Sequence, residues 1–152
     1  MRYYIDGKHI DIQTIVSDLN GTLSFFGKIS DKDRQALQSF LSTHAFRFIL
    51  LTSDKRKTAR QLASSLSIEY HIAKTGDDKL RFLNNLNTPF IGIGNARNDI
   101  SIFQKASLGI AILGQEGLHP HILQHVDILA PSFSDALTII ADPAAIESTL
   151  NR

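Results

Sequence analysis

The sequence predicts an α/β fold: a Rossmann-like, three-layer αβα sandwich around a parallel central sheet. Three observations predict it. Short, nearly continuous apolar runs recur along the chain, as in strands covered on both faces. Amphipathic segments with apolar residues three and four apart alternate with them, the pattern of βαβ units. No internal repeat, linker or low-complexity tract breaks the alternation, so the 152 residues read as one domain.

The elements follow in order. Tyr3–Ile5 and Lys8–Ile12 flank Asp6-Gly7, a dipeptide that favours a type I′ turn, so a small N-terminal hairpin precedes the core. Thr14–Leu19 is the first buried strand. Ser30 with Asp33 is a weak capping box, opening a helix that turns Leu37, Phe40 and Leu41 inward. Phe46–Leu51 is a strand, and Thr52-Ser53-Asp54 begins a helix through about Leu66. Glu69–Ala73 is a short strand, followed by a helix over Asp77–Leu86 with Leu80, Leu83 and Leu86 inward. Pro89–Gly94 is a strand, and Asn98–Lys105 a helix. Leu108–Leu113 and Val126–Leu129 are strands, separated by a short helix near Gly117–Gln124. Pro131 or Ser132 starts a terminal helix, and another short one follows Pro143. The expected partition is a hairpin over 1–12, a core over 13–141 and a C-terminal tail over 142–152.

Composition narrows the function classes. With 43% hydrophobic and 20% charged residues the chain is that of a soluble globular protein. A formal net charge of +1 makes no global case for nucleic acid or for an anionic membrane surface. The absence of cysteine excludes disulfides and thiolate metal sites, and fits a reducing compartment. No apolar stretch reaches the ~20 residues that span a bilayer, and the first residues are too polar for a signal peptide. A cytoplasmic protein without membrane insertion is expected.

Asp18, Thr52, the Lys74–Lys79 region and Asn95–Asp99 all fall where strands end and loops begin. In a doubly wound sheet these ends meet on one edge. A carboxylate there can attack phosphorus, acids can hold Mg²⁺, a threonine can bond a phosphoryl oxygen, and a lysine can offset charge. Phosphoryl transfer rests mostly on such positioning and charge compensation.

Residues 15–23, Ile-Val-Ser-Asp-Leu-Asn-Gly-Thr-Leu, resemble the nucleophile motif of haloacid dehalogenase (HAD)-like phosphohydrolases, Asp-x-Asp-Gly-Thr. In particular they resemble the Asp-x-x-Gly-Thr of soluble relatives of P-type ATPase phosphorylation domains. The stretch Leu50–Ala59 is similar to the Thr-Gly-Asp-Asn-x-x-Thr-Ala of those pumps, with Ser53 in place of glycine. Gly94-Asn95-Ala96-Arg97-Asn98-Asp99 is similar to Gly-Asp-Gly-x-Asn-Asp, and Ala106–Gly114 to the strand after it. The likeness covers roughly residues 14–140, with its motifs in family order.

The resemblance implies Asp18 as nucleophile and Asp18, Leu19, Thr52, Ser53 and Lys79 around the phosphate. It implies Mg²⁺ as cofactor, held by Asp18, the main-chain carbonyl of Asn20 and Asp99, with Asn95 and Asn98 in support. Lys74 is the alternative site lysine. Asn20 stands where phosphatase members carry their general acid–base and has no titratable proton, so slow hydrolysis is expected. Asn95 replaces the first acid of the metal motif, which lowers the expected Mg²⁺ affinity. About 34 residues separate Asp18 from Thr52, too few for a cap domain, so the expected fold is HAD-like and capless. Such an open pocket suits a phosphorylated substrate on a macromolecule, or a second subunit as lid.

The remaining signals read as structural. Lys55-Arg56-Lys57 with Arg60 is read as a solvated helix face. His119, His121 and His125 lack a third ligand in pattern and are read as surface residues. Gly92-Ile93-Gly94 lacks the third glycine of a dinucleotide fingerprint. Three functions compete: an Mg²⁺-dependent phosphohydrolase or phosphotransferase, a catalytically silent binding or regulatory module, and a receiver-type domain. The last ranks lowest, because no acidic pair lies near the first strand.

Overall fold

The alternation of buried runs and amphipathic segments assembles around one sheet. The computed structural model describes residues 1–151, and Arg152, the end of the expected tail, lies outside the described residues. Strands β1 (Arg2–Ile5) and β2 (Lys8–Asp11) pair antiparallel across Asp6 and Gly7. Both turn residues have positive φ, 49° and 79°, as a type I′ turn requires.

The central sheet holds β3 (Thr14–Ser17), β4 (Arg47–Thr52), β5 (Glu69–Ile72), β6 (Ile91–Gly94), β7 (Leu108–Ile112) and β8 (Ile128–Ala130). Their order is β5-β4-β3-β6-β7-β8, and every neighbouring pair is parallel. The chain winds one way from β3 to β5 and the other way from β6 to β8. A topological switch therefore lies between β3 and β6, the place where open α/β sheets bind ligands.

Helices cover both faces: α1 (Asp31–Thr43), α2 (Ala59–Leu66), α3 (Gly76–Asn84), α4 (Ile100–Lys105), α5 (Phe133–Ala141) and α6 (Pro143–Leu150). Alternate strand residues serve the two sides. Ile15 and Leu50 pack with Leu37, Ala63 and Phe133 of α1, α2 and α5. Val16, Ile49 and Leu51 pack with Leu83 and Ile102 of α3 and α4.

Four expectations change. The helix after β4 begins at Ala59, not near Thr52, because Asp54 and Lys57 adopt positive φ (49° and 56°) and break it. The Asp54 carboxylate instead accepts from the amides of Thr58 (2.8 Å) and Ala59 (2.9 Å), capping α2 from a loop over 53–58. In α3 the residues turned inward are Lys79 and, as expected, Leu83, whereas Leu80 is only half-buried. The segments 97–99 and 120–124 are 3-10 turns. The hairpin and the C-terminal segment are part of the packing: Tyr3 is fully buried and its hydroxyl donates to the Ile140 carbonyl at 2.8 Å. After α6, Asn151 donates to the Tyr4 carbonyl at 2.9 Å.

Asp33 joins two helix starts. Its Oδ2 accepts from the Ser30 hydroxyl (3.0 Å) and its Oδ1 from the Ser134 amide (3.1 Å) in the first turn of α5. Asp33→Ala strands that buried amide and should lower stability by about 1–3 kcal/mol in urea unfolding. Asp33→Asn, which keeps an acceptor, should recover most of the loss; equal losses for the two would refute the bridging role.

Candidate active site

The carboxyl ends of β3, β4 and β6 and the first turns of α3 gather one polar cluster inside an apolar shell. Asp18 directly follows β3, with its amide donating to the Ile93 carbonyl of β6 at 2.9 Å. Lys79 arrives from α3, whose start is fixed by a capping box: Thr75 Oγ1 accepts from the Asp78 amide and Asp78 Oδ2 from the Thr75 amide, both at 3.1 Å. One turn on, Lys79 is 0% exposed, and its Nζ donates to Asp18 Oδ1 at 3.0 Å and Asp99 Oδ1 at 2.6 Å. The other Asp99 oxygen accepts from the Asn95 and Ala96 amides, both at 2.9 Å.

Two glycines make room for this. A Cβ on Gly94 would lie 2.6 Å from Asp99 Oδ2, and one on Gly21 would lie 2.3 Å from Asn95 Nδ2. Gly21 also has φ 80°, which side chains resist. Its absent side chain lets Asn95 reach the nucleophile loop, where Asn95 Oδ1 accepts from Thr22 Oγ1 at 3.1 Å. The same amide donates to the Gly117 carbonyl at 2.9 Å.

Charge in the cluster does not balance. One ammonium faces two buried carboxylates, and the surplus negative charge is felt at Asp18. Burial and then the Asp99 charge raise its pKa to about 6, against the pull of Lys79. Burial works to lower the Lys79 pKa, but Asp99 and Asp18 outweigh it and push it up to about 12. Lys79 stays charged at any ordinary pH.

Thr52 ends β4 and is fully buried. Its Oγ1 accepts from the Asp54 amide at 3.0 Å, which leaves the hydroxyl proton to donate. Thr52 does not cap α2, which starts seven residues later. Leu19 turns its main-chain N–H to the Asp18 carboxylate, and Ser53 sits half-buried in the loop after β4. Lys74 is exposed and takes no part in the cluster's bonds. Asn98 contributes only its carbonyl, which accepts from Ser101 Oγ at 3.4 Å. The Asn20 side-chain amide is buried with neither Oδ1 nor Nδ2 hydrogen-bonded, as are Ser24 Oγ and Thr58 Oγ1.

Mg²⁺ prefers hard oxygen donors. The Asp18 oxygen not held by Lys79 and the Asn20 main-chain carbonyl, which accepts no main-chain hydrogen bond, are of that kind. The expected third donor, Asp99, has Oδ1 on Lys79 and Oδ2 on two amides, so a cation would share Oδ1 with the lysine. Asn95 offers an amide oxygen already engaged by Thr22. The set fits a divalent ion with fewer free acids than the motif ordinarily supplies, and no group of three or more His, Cys, Asp or Glu among the described residues makes another such site. His119 and His125 each meet His121 edge to face, with centroids 6.4 and 5.6 Å apart.

Two contributors are not among the expected site residues. Thr22 lies in the Gly-Thr of the nucleophile motif, which could have pointed to it. Glu116 is a lone acid in the loop after β7, yet its carboxylate accepts from the Phe26 amide at 2.9 Å and pairs with Arg56 at 3.4 Å. A cavity of about 960 Å³ lies among Phe25, Phe26, Ile29, Leu113 and Pro131, and Asp18 is not in its wall.

No family model matches the chain. An uncharacterized protein of Methanocaldococcus jannaschii is 32% identical over 65 residues, which cover 43% of this chain and 70% of that protein. Among solved structures, the cobalt-bound deoxy-D-mannose-octulosonate 8-phosphate phosphatase of Haemophilus influenzae matches with TM-score 0.66 and 11% identity, over 91% of this chain and 89% of that one. The 3-deoxy-D-manno-octulosonate 8-phosphate phosphatase of Moraxella catarrhalis, in complex with magnesium, phosphate and its sugar acid, matches with TM-score 0.69 and 17% identity, over 92% and 88%. A Streptomyces avermitilis protein assigned to the HAD family matches with TM-score 0.66 and 14% identity, over 92% and 85%. At these identities the structural likeness is one of fold.

Removing the single buried cation tests the cluster. Lys79→Met should cost about 3–5 kcal/mol near neutral pH, where two carboxylates would be left unpaired. The loss should shrink as pH falls through about 6, where Asp18 takes up a proton. Urea unfolding across that range checks it; a loss that did not change with pH would contradict the triad.

Proposed function

Because this chain has the HAD-like fold and belongs to one family with the Methanocaldococcus jannaschii protein, we propose that it is an Mg²⁺-dependent phosphohydrolase or phosphotransferase acting through an aspartyl-phosphate on Asp18. The observation that carries the reading is the buried Asp18–Lys79–Asp99 triad at the sheet's switch point, with the Thr52 hydroxyl one strand away.

In the first step an Asp18 carboxylate oxygen attacks phosphorus. The bond from phosphorus to the leaving oxygen breaks, and that oxygen leaves with the electron pair. Lys79 offsets the charge on the carboxylate and the phosphoryl oxygens, while Asp99, through its bonds to Lys79 and to two amides, holds the ammonium in place. Thr52 donates to a phosphoryl oxygen. Bound Mg²⁺, on Asp18, the Asn20 carbonyl and the shared Asp99 oxygen, would supply further charge compensation. In the second step water attacks the phosphorus of the acyl phosphate, releasing phosphate and restoring the carboxylate.

Asn20 shapes both steps. It has no proton to give to the leaving oxygen, so donors whose leaving groups are stable as anions, such as acyl phosphates and anhydrides, suit the site. It cannot accept a proton from the attacking water either, so the phospho-aspartate should persist.

A second reading, a catalytically silent binding or regulatory module, draws on Asn95, whose amide is tied at both ends, and on the saturated Asp99. Calorimetry with Mg²⁺ and beryllofluoride separates the two, since absence of binding favours the silent module.

Incubation with acetyl phosphate should give a mass gain of one phosphoryl group, sensitive to hydroxylamine and lost in Asp18→Asn. Asn20→Asp should speed release of the phosphoryl group by about 10²–10⁴-fold. An unlabelled wild type with acetyl phosphate, ATP and an aryl phosphate would remove the enzymatic reading.

A further inference from the structure

The cationic run after β4 is not a helix face. Lys55, Arg56 and Lys57 stand exposed in the loop over 53–58, held outward by the positive φ of Asp54 and Lys57 and by the Asp54 cap. That loop directly follows Thr52. The neighbouring loops at the same sheet edge add Lys28 after β3, Lys74 after β5 and Arg97 after β6, each exposed.

Most acids of these loops are paired or cap a helix, and the buried triad keeps one surplus negative charge. Asp18 and Asp99 face Lys79, Asp54 caps α2, and Glu116 holds the Phe26 amide and Arg56. The exposed acids nearby, Asp31 and Asp77, lie in the first turns of α1 and α3, where helix dipoles oppose them. On a chain whose formal net charge is only +1, this edge is therefore locally basic.

Its extent exceeds one phosphate. Strands sit about 4.8 Å apart, so loops following β5, β4, β3 and β6 span about 14 Å. Arg56 is the best-placed recognition group. Its Cδ lies 3.3 Å from where a Cβ on Gly27 would be, so it crosses from the loop after β4 to the turn after β3. Its one ion pair among the described residues, to Glu116 at 3.4 Å, is long and half-exposed, a contact that costs little to exchange. A guanidinium can engage a phosphate with two parallel hydrogen bonds.

We propose that this rim selects small phosphate monoesters carrying a second phosphate group, with Arg56 as the specificity residue that trades Glu116 for that group. This rests on the phosphoryl-transfer reading of Asp18 for which phosphate is transferred, but the recognition itself needs no transfer. Binding is therefore measured in the Asp18→Asn background, where labelling cannot occur, by calorimetry with glucose 6-phosphate, glucose 1,6-bisphosphate and a 5′-phosphorylated oligothymidylate.

The bisphosphate should bind at least about tenfold tighter than the monophosphate at low salt, and the gap should narrow as salt screens the rim. Arg56→Ala should erase most of that ratio, and Arg56→Lys should restore part of it, since lysine keeps the charge without the fork. Glu116→Gln, which keeps an acceptor for the Phe26 amide while removing the competing charge, should widen the ratio. Equal affinity for the two sugar phosphates, or an Arg56→Ala effect equal on both, would overturn the proposal. Tighter binding of the oligonucleotide than of the bisphosphate would overturn it too, assigning the rim to nucleic acid.

Discussion

A single buried ammonium holds this site together. Lys79 is desolvated completely, which would be prohibitive for a lone charge, and is made tolerable by two carboxylates at hydrogen-bond distance. Those carboxylates belong to loops after different strands of the sheet, and the lysine to a helix on one face. The ion cluster therefore fixes the relation of three chain segments as well as charge. It also leaves one negative charge uncompensated, and burial together with that excess raises the pKa of Asp18. An anionic group so placed has reason to favour a cation or an electrophilic phosphorus beside it.

Around the triad, amides stand where charged groups would be costly or reactive. Asn95 bonds Thr22 on one side and Gly117 on the other, stitching the nucleophile loop to the loop after β7. Asn20 does the opposite: its side-chain amide is buried and unbonded, an arrangement that costs stability and marks a place for a polar ligand or water. The two positions share a residue type and differ in role, one closing the site and the other leaving it incomplete.

The strand and helix order was legible because the core strands are covered on both faces and read as unbroken apolar runs. The hairpin was legible because Asp6-Gly7 suits one turn type. Where reading failed, side chains had competed with the pattern. The spacing after Thr52 looks helical, but the Asp54 carboxylate takes the amides that begin the helix and shifts its start to Ala59. In α3 the apolar pattern put Leu80 inward, whereas charge pairing turned Lys79 to the interior. The motif residues Asp18, Asn95 and Asp99 could be named from their order in the chain. That Asp99 is fully engaged, and that Glu116 pins two loops, depends on distances between segments that no local pattern encodes.

Gly21 and Gly94 show how such a site constrains its own history. Each is needed because a side chain would collide with Asn95 or Asp99, whereas the exposed cations of the rim touch little that the fold requires. Exchanges among surface residues usually cost less than about 0.5 kcal/mol, so descendants of this protein could redraw their ligand preference freely. The buried triad has no such latitude, because a side chain at Gly21 or Gly94 strikes Asn95 or Asp99 and displaces the packing around it.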